Sequence, residues 1–110
     1  MSKVKRKLTT ILATDCVGFS KRMDENEELT LENLKACRSI IDPQIKEFGG
    51  RIFYTAGDSV IAEFESPVEC VNAAIGFQKA INDRNNTLSE ESQLDWRVGI
   101  HLDDVIIEGD

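Results

Sequence analysis

The sequence predicts an α+β fold: a βαββαβ sandwich in which one antiparallel sheet carries its helices on a single face. Three observations predict it. Four short runs rich in β-branched and apolar residues, at 9–13, 51–54, 59–64 and 94–102, read as strands. Two longer stretches, after Ser20 and after Ser66, repeat apolar residues every three or four positions, as amphipathic helices do. Turn residues mark the junctions at Gly18, Gly49-Gly50 and Gly57-Asp58. The resulting element order is the ferredoxin-like one, which by itself specifies no activity.

Each element has its own justification. In 8–20, LTTILATDCVGFS, residues 9–13 suit a buried strand, and Asp15 closes it. Gly18 permits a sharp turn and a close approach by a ligand, Phe19 anchors that turn, and Ser20 caps the helix that follows. Residues 21–48 form that helix, with Leu29, Leu31, Leu34, Ile40, Ile41, Ile45 and Phe48 at helical spacing and an acidic first turn around Glu27 and Glu28. Asp42-Pro43 predicts a kink or restart, and Gly49-Gly50 ends the helix. Residues 51–54 and 59–64 form a hairpin across 55–58, with Ile52, Val60, Ala62 and Phe64 facing inward.

Ser66, Pro67 and Glu69 open a second helix, close to a capping box, and Val68, Val71, Ala74, Ile75, Gln78 and Ile81 follow helical spacing. Residues 82–93 read as a polar surface loop. The strand at 94–102 sets Trp96, Val98 and Ile100 on one face, and 105–107 is a further short apolar run.

With 110 residues the chain suits one domain: a basic lead-in or linker at 1–7, holding Lys3, Lys5, Arg6 and Lys7, and a core at 8–110. A net charge of −7 argues against non-specific binding to nucleic acid or anionic lipid. An RNA-binding sheet would also need a basic face and aromatic-rich strands, which the sequence lacks. The apolar run after the basic start is short, is interrupted by Thr9, Thr10 and Thr14, and ends at Asp15, unlike a signal peptide. No stretch approaches the roughly 20 apolar residues of a membrane span. Cys16, Cys37 and Cys70, odd in number and widely spaced, fit neither a disulfide framework nor a zinc site. They read as buried fillers in a reducing cytosol, so a cytoplasmic location is expected.

Asp15 and Asp58 stand out because each sits at a strand end. In βαββαβ topology the first and third strands are antiparallel neighbours, so the end of the first lies beside the start of the third. Two carboxylates placed there repel unless a cation sits between them. Magnesium prefers such a site, one or two carboxylates plus phosphate oxygens. Free backbone N–H groups after Gly18 could hold a phosphate beside it. The chain carries no serine triad, zinc motif or Walker sequence.

In family order, the segments ILATDCVGFS (11–20), FGGRI (48–52), AGDS (56–59), RVGIHL (97–102) and DVIIEGD (104–110) resemble the catalytic domain of class III nucleotidyl cyclases of the bacterial type. The resemblance implies a nucleotide cyclase core that converts a purine nucleoside triphosphate, ATP or GTP with ATP the favoured one, to the 3′,5′-cyclic monophosphate and pyrophosphate. It also implies two magnesium or manganese ions per site, held by Asp15, Asp58 and the backbone carbonyl of Cys16. The N–H groups around Gly18, Phe19 and Ser20 would hold the terminal phosphates, and the working form would be a homodimer.

The sequence departs from the family in three places. Tyr54 stands where the family places a purine-reading lysine, so any base contact would be uncharged. The family's transition-state asparagine and arginine lie on a helix expected beyond Asp110, so the core reads as C-terminally incomplete and residues 1–110 alone are expected to be inactive. Asp103 stands where the family commonly has glycine. A second reading is therefore an inactive or truncated cyclase-like module that binds nucleotide or regulates. His101 and Trp96 read as structural, and Arg97 as pairing a sheet-face acid or reaching a dimer partner.

Overall fold

A computed structural model describes residues 4–108. Lys3 of the lead-in, and Gly109 and Asp110 at the end of the core, lie outside the described residues. The chain runs β1 (Val4–Cys16), α1 (Phe19–Glu25), α2 (Glu27–Glu47), β2 (Arg51–Ala56), β3 (Ser59–Phe64), α3 (Pro67–Asn85), a 3₁₀ turn (Glu90–Ser92) and β4 (Trp96–Glu108). The sheet is antiparallel in the order β2-β3-β1-β4, so the first and third strands are the central pair, as the sequence predicts.

Alternation along β1 separates the two faces. Thr10, Leu12, Thr14 and Cys16 are buried beneath the helices, while Asp15 is partly exposed on the open face. Their direct partners share that face: Thr14 pairs with Val60 and Val98, and Leu12 with Ala62 and Ile100, although Ile100, near the sheet edge, is exposed. Leu12, Val60, Ala62 and Phe64 from the sheet meet Cys37, Ile41 and Ile45 of α2 and Cys70, Ala73, Phe77 and Ile81 of α3. All three cysteines are free and buried, as expected of fillers.

Several boundaries differ from the sequence reading, each for a local reason. The first helix is two. Asn26 stops α1 and caps α2, its side chain accepting from the Leu29 amide at 3.1 Å, while the Thr30 hydroxyl donates back to the Arg22 carbonyl at 2.9 Å. Helix α1 starts at Phe19, so Ser20 lies inside it; its N-cap is Gly18, at φ 65°, with no side-chain cap. Pro43 neither ends nor restarts α2. An interior proline costs about 3 kcal/mol, but Ile41 and Ile45 on either side are fully buried, and burying an isoleucine returns about 1.5–3 kcal/mol.

Gly49 takes the left-handed end of this helix, at φ 83°. Gly50 has a different reason to be glycine: a Cβ there would come within 2.5 Å of the Phe64 ring.

The Ser66 hydroxyl caps α3, accepting from the Glu69 amide at 3.2 Å. The buried stripe keeps Ala74 and Ile81 from the one the spacing suggests but is otherwise a different one. Cys70, Ala73, Ala74, Phe77 and Ile81 face the core, whereas Val68, Val71 and Ile75 are 67%, 42% and 60% exposed. Burying the large ring of Phe77 decides the rotation. Residues 82–93 are not one loop: α3 continues to Asn85, whose buried side chain bonds the Leu94 carbonyl (2.9 Å) and amide (3.3 Å). Strand β4 absorbs both late apolar runs, pairing without a break from Cys16↔Trp96 to Val4↔Glu108, and β1 begins inside the basic lead-in. On β2, a bulge at Phe53 pairs Ile52 with Ala62 but Tyr54 with Ile61, which moves Tyr54 from the helix side to the open face.

Candidate active site

The antiparallel register of β1 and β3 brings the end of one beside the start of the other, and the two acids meet there. Asp58 sits in the β2–β3 turn, after Gly57 at φ 57°. Its Oδ2 accepts the Cys16 amide at 2.8 Å, tying the hairpin turn to the end of β1. Asp15 lies directly opposite Arg97 of β4, whose Nε donates to Asp15 Oδ1 at 2.8 Å. Both acids line one cleft of about 490 Å³ with Cys16, Gly18, Phe19, Ser20, Lys21, Ser59 and Arg97. A smaller depression of about 380 Å³ on the open sheet face adjoins it, sharing Asp15, Ser59 and Arg97 and lined also by Ala13 and Gly99.

The sequence at the cleft's rim makes a second feature. The amides of Phe19, Ser20 and Lys21 precede the first helical bond, Arg22 N–H to Gly18 O at 3.0 Å, and Gly18 at the N-cap offers them no side-chain oxygen. Phe19 packs against the core and anchors the turn, as its position suggests.

Electrostatics separate the roles. The hydrogen bond to Asp15, then its charge, raise the Arg97 guanidinium above the usual arginine value, and Asp58 adds to the effect. Burial, with the Asp58 charge second, pushes the Cys16 thiol up to about 12, so Cys16 is a neutral thiol and offers the cleft only main-chain atoms. A hard divalent cation suits the donors present. Two carboxylates share the cleft, each engaging one oxygen with a protein donor, and magnesium sites commonly need no more than this plus phosphate. Among the described residues no group of three or more His, Cys, Asp or Glu side chains could hold a metal.

The structure thus brings Asp15, Cys16, Gly18, Phe19, Ser20 and Asp58 together. Tyr54, half-exposed on the open face, lines neither depression beside Asp15. His101 is exposed on β4 opposite Ile11, away from the cleft. Of the two partners the sequence allows for Arg97, the structure supplies the sheet-face acid. Lys21 and Ser59 also line the cleft without having been singled out; only their closeness in sequence to Gly18 and Asp58 could have pointed to them. Among the described residues no helix is long and apolar enough to cross a membrane.

No protein-family model matches the chain. It is 36% identical over 106 residues to a protein of Rhizobium meliloti (strain 1021) whose name puts it forward as adenylate cyclase 3; the match covers 96% of this chain and 18% of that protein. It is 29% identical over 110 residues to the serine/threonine-protein kinase pkn2 of Myxococcus xanthus, covering 99% of this chain and 13% of the kinase. Among solved structures, the adenylate/guanylate cyclase/hydrolase from Silicibacter pomeroyi superposes with a TM-score of 0.85 at 32% identity, over 97% of this chain and 63% of that one. The chain therefore spans less than a fifth of the length of either curated relative. The family this chain resembles, in sequence and in fold and along nearly its whole length, is that of the class III adenylate and guanylate cyclase catalytic domains.

Proposed function

We propose that this domain serves a nucleotidyl cyclase that converts ATP, in preference to GTP, to the 3′,5′-cyclic monophosphate and pyrophosphate for intracellular signalling. The observation that carries the reading is the meeting of Asp15 and Asp58 in one cleft beside the uncapped start of α1. In this reaction the ribose 3′-oxygen bonds to the α-phosphorus as the bond to the pyrophosphate oxygen breaks. Two magnesium or manganese ions would be held by Asp15, Asp58 and the Cys16 carbonyl. When bound, such ions lower the hydroxyl pKa and neutralise the leaving group.

The chain's own residues do the positioning. The Phe19 and Ser20 amides receive terminal phosphate oxygens, with Gly18 keeping the approach clear of a side chain. The Asp58–Cys16 bond fixes the distance between the acids' parent strands. Tyr54 would meet the base with one uncharged hydrogen bond, from a site completed by a second copy in a cytoplasmic homodimer. Its lack of charge favours a second reading, a nucleotide-binding module without turnover.

The test is cyclic-nucleotide production from ATP or GTP with manganese, by the parent protein and by its Asp15→Asn and Asp58→Asn variants. Cyclic AMP formation lost in both variants is the expected result. Nucleotide binding without any cyclic product would establish the second reading, and turnover that survives both substitutions would overturn the assignment.

A further inference from the structure

We propose that Arg97 is the resident counter-ion of the acid pair: it holds Asp15 while the cleft is free of metal, and a divalent cation enters by displacing it. Arg97 would then set the metal concentration at which the cleft fills. This rests on reading Asp15 and Asp58 as metal ligands, and adds a threshold to that reading.

The β1–β4 ladder puts Arg97 in place. Asp15 and Arg97 are direct partners in a continuous antiparallel register, so the guanidinium is delivered to this carboxylate by backbone pairing. Asp58 has a neutral donor, the Cys16 amide, and Asp15 has the charged one. Lys21 lines the same cleft but makes no hydrogen bond to either acid. Arg97 is therefore the cation that offsets the acids' mutual repulsion, and both of them favour its charged form.

A guanidinium cannot yield its place by losing a proton, so it must swing away. Its side chain is 69% exposed and that of Asp15 40%, and exposed pairs of this kind are weak enough to exchange. Arg97 occupies Asp15 Oδ1, so an ion that engages both oxygens of this carboxylate must share or take that position.

The sign of one measurement separates this role from a structural one. If Arg97 merely kept Asp15 well aimed, its removal would weaken metal binding. As a competitor, its removal strengthens binding, through loss of the ion pair and of the repulsion between guanidinium and metal.

The experiment is a titration with manganese alone, followed by the EPR signal of the free ion, on the wild type and on Arg97→Gln, Arg97→Lys and Asp15→Asn. We expect about two- to tenfold tighter binding in Arg97→Gln, near wild-type binding in Arg97→Lys, and none in Asp15→Asn. In ¹⁵N spectra the Arg97 Nε–H resonance should shift as magnesium is added. Equal or weaker binding in Arg97→Gln, with binding still lost in Asp15→Asn, would overturn the lock and leave the metal site standing. No saturable binding by either the wild type or Arg97→Gln would overturn the metal site, and the lock with it.

Discussion

Replacing Asp58 with alanine should destabilise the fold, whereas replacing Asp15 should hardly do so, although the functional reading treats the two acids alike. Asp58 accepts the Cys16 amide at 2.8 Å in a partly buried setting, and alanine leaves that N–H without its partner. A hydrogen bond to a charged group contributes about 1.5–3 kcal/mol; partial access of water to the turn places this one near the lower end. For a domain of this size, each kcal/mol shifts the melting temperature by about 4–8 °C, so Asp58→Ala should melt about 6–12 °C lower. Asp58→Asn keeps a neutral acceptor and should lose about half as much.

The comparison also cancels a confounding effect, because both substitutions relieve the same repulsion between Asp15 and Asp58. The Asp15–Arg97 pair is exposed on both sides, where ion pairs contribute little, so Asp15→Ala should shift melting far less than Asp58→Ala. The assay is thermal unfolding followed by far-ultraviolet circular dichroism, in EDTA at neutral pH. A wild-type melting temperature for Asp58→Ala, or a larger loss for Asp15→Ala, would refute the claim that Asp58 ties the hairpin turn to β1.

Two further perturbations test the core. Gly50→Ala drives a Cβ to 2.5 Å from the Phe64 ring, and overpacking of this kind costs about 1–3 kcal/mol; urea unfolding should show the loss, and Phe64→Leu in the same background should recover part of it. Burial raises all three thiols from the ordinary value of 9.0, Cys16 to about 12 and Cys70 to about 11. Folded values above the unfolded one mean that this stability is complete below about pH 9 and is lost as pH climbs through 11 to 12. Melting temperature against pH should fall in that window, and a chain carrying Cys16→Ala and Cys70→Ala should fall less steeply.

The fold was legible because its signals are short-range and redundant. Period two in 59–64, the glycines at 49–50 and the serine–proline helix start each specify an element without help from distant residues. What was hidden depends on competition between near-equal local options. Asn26 could have been an ordinary polar helix residue, and only the folded chain shows it capping α2. Helix α3 carries two apolar stripes, and its packing against the sheet decides between them. The Phe53 bulge is invisible to alternation, since one extra residue reverses the facing of all that follows.

At the site, Asp15 and Asp58 were readable from topology, whereas the Arg97–Asp15 pair needed the register of two strands separated by most of the chain.

Strand β1 acts as a common ruler for the core and the cleft. Leu12 and Asp15 lie on opposite faces of the same few residues, so a slip of one position would turn Leu12 outward and drive Asp15 beneath the helices. The aim of the cleft acid is thereby protected by the whole hydrophobic core, which rejects any register but one. The same linkage limits how this stretch can diverge: side chains can be exchanged along β1, but residues cannot be inserted or deleted between Leu12 and Asp15. Length variation is free to accumulate in the polar segment after Asn85, where no alternation would be upset.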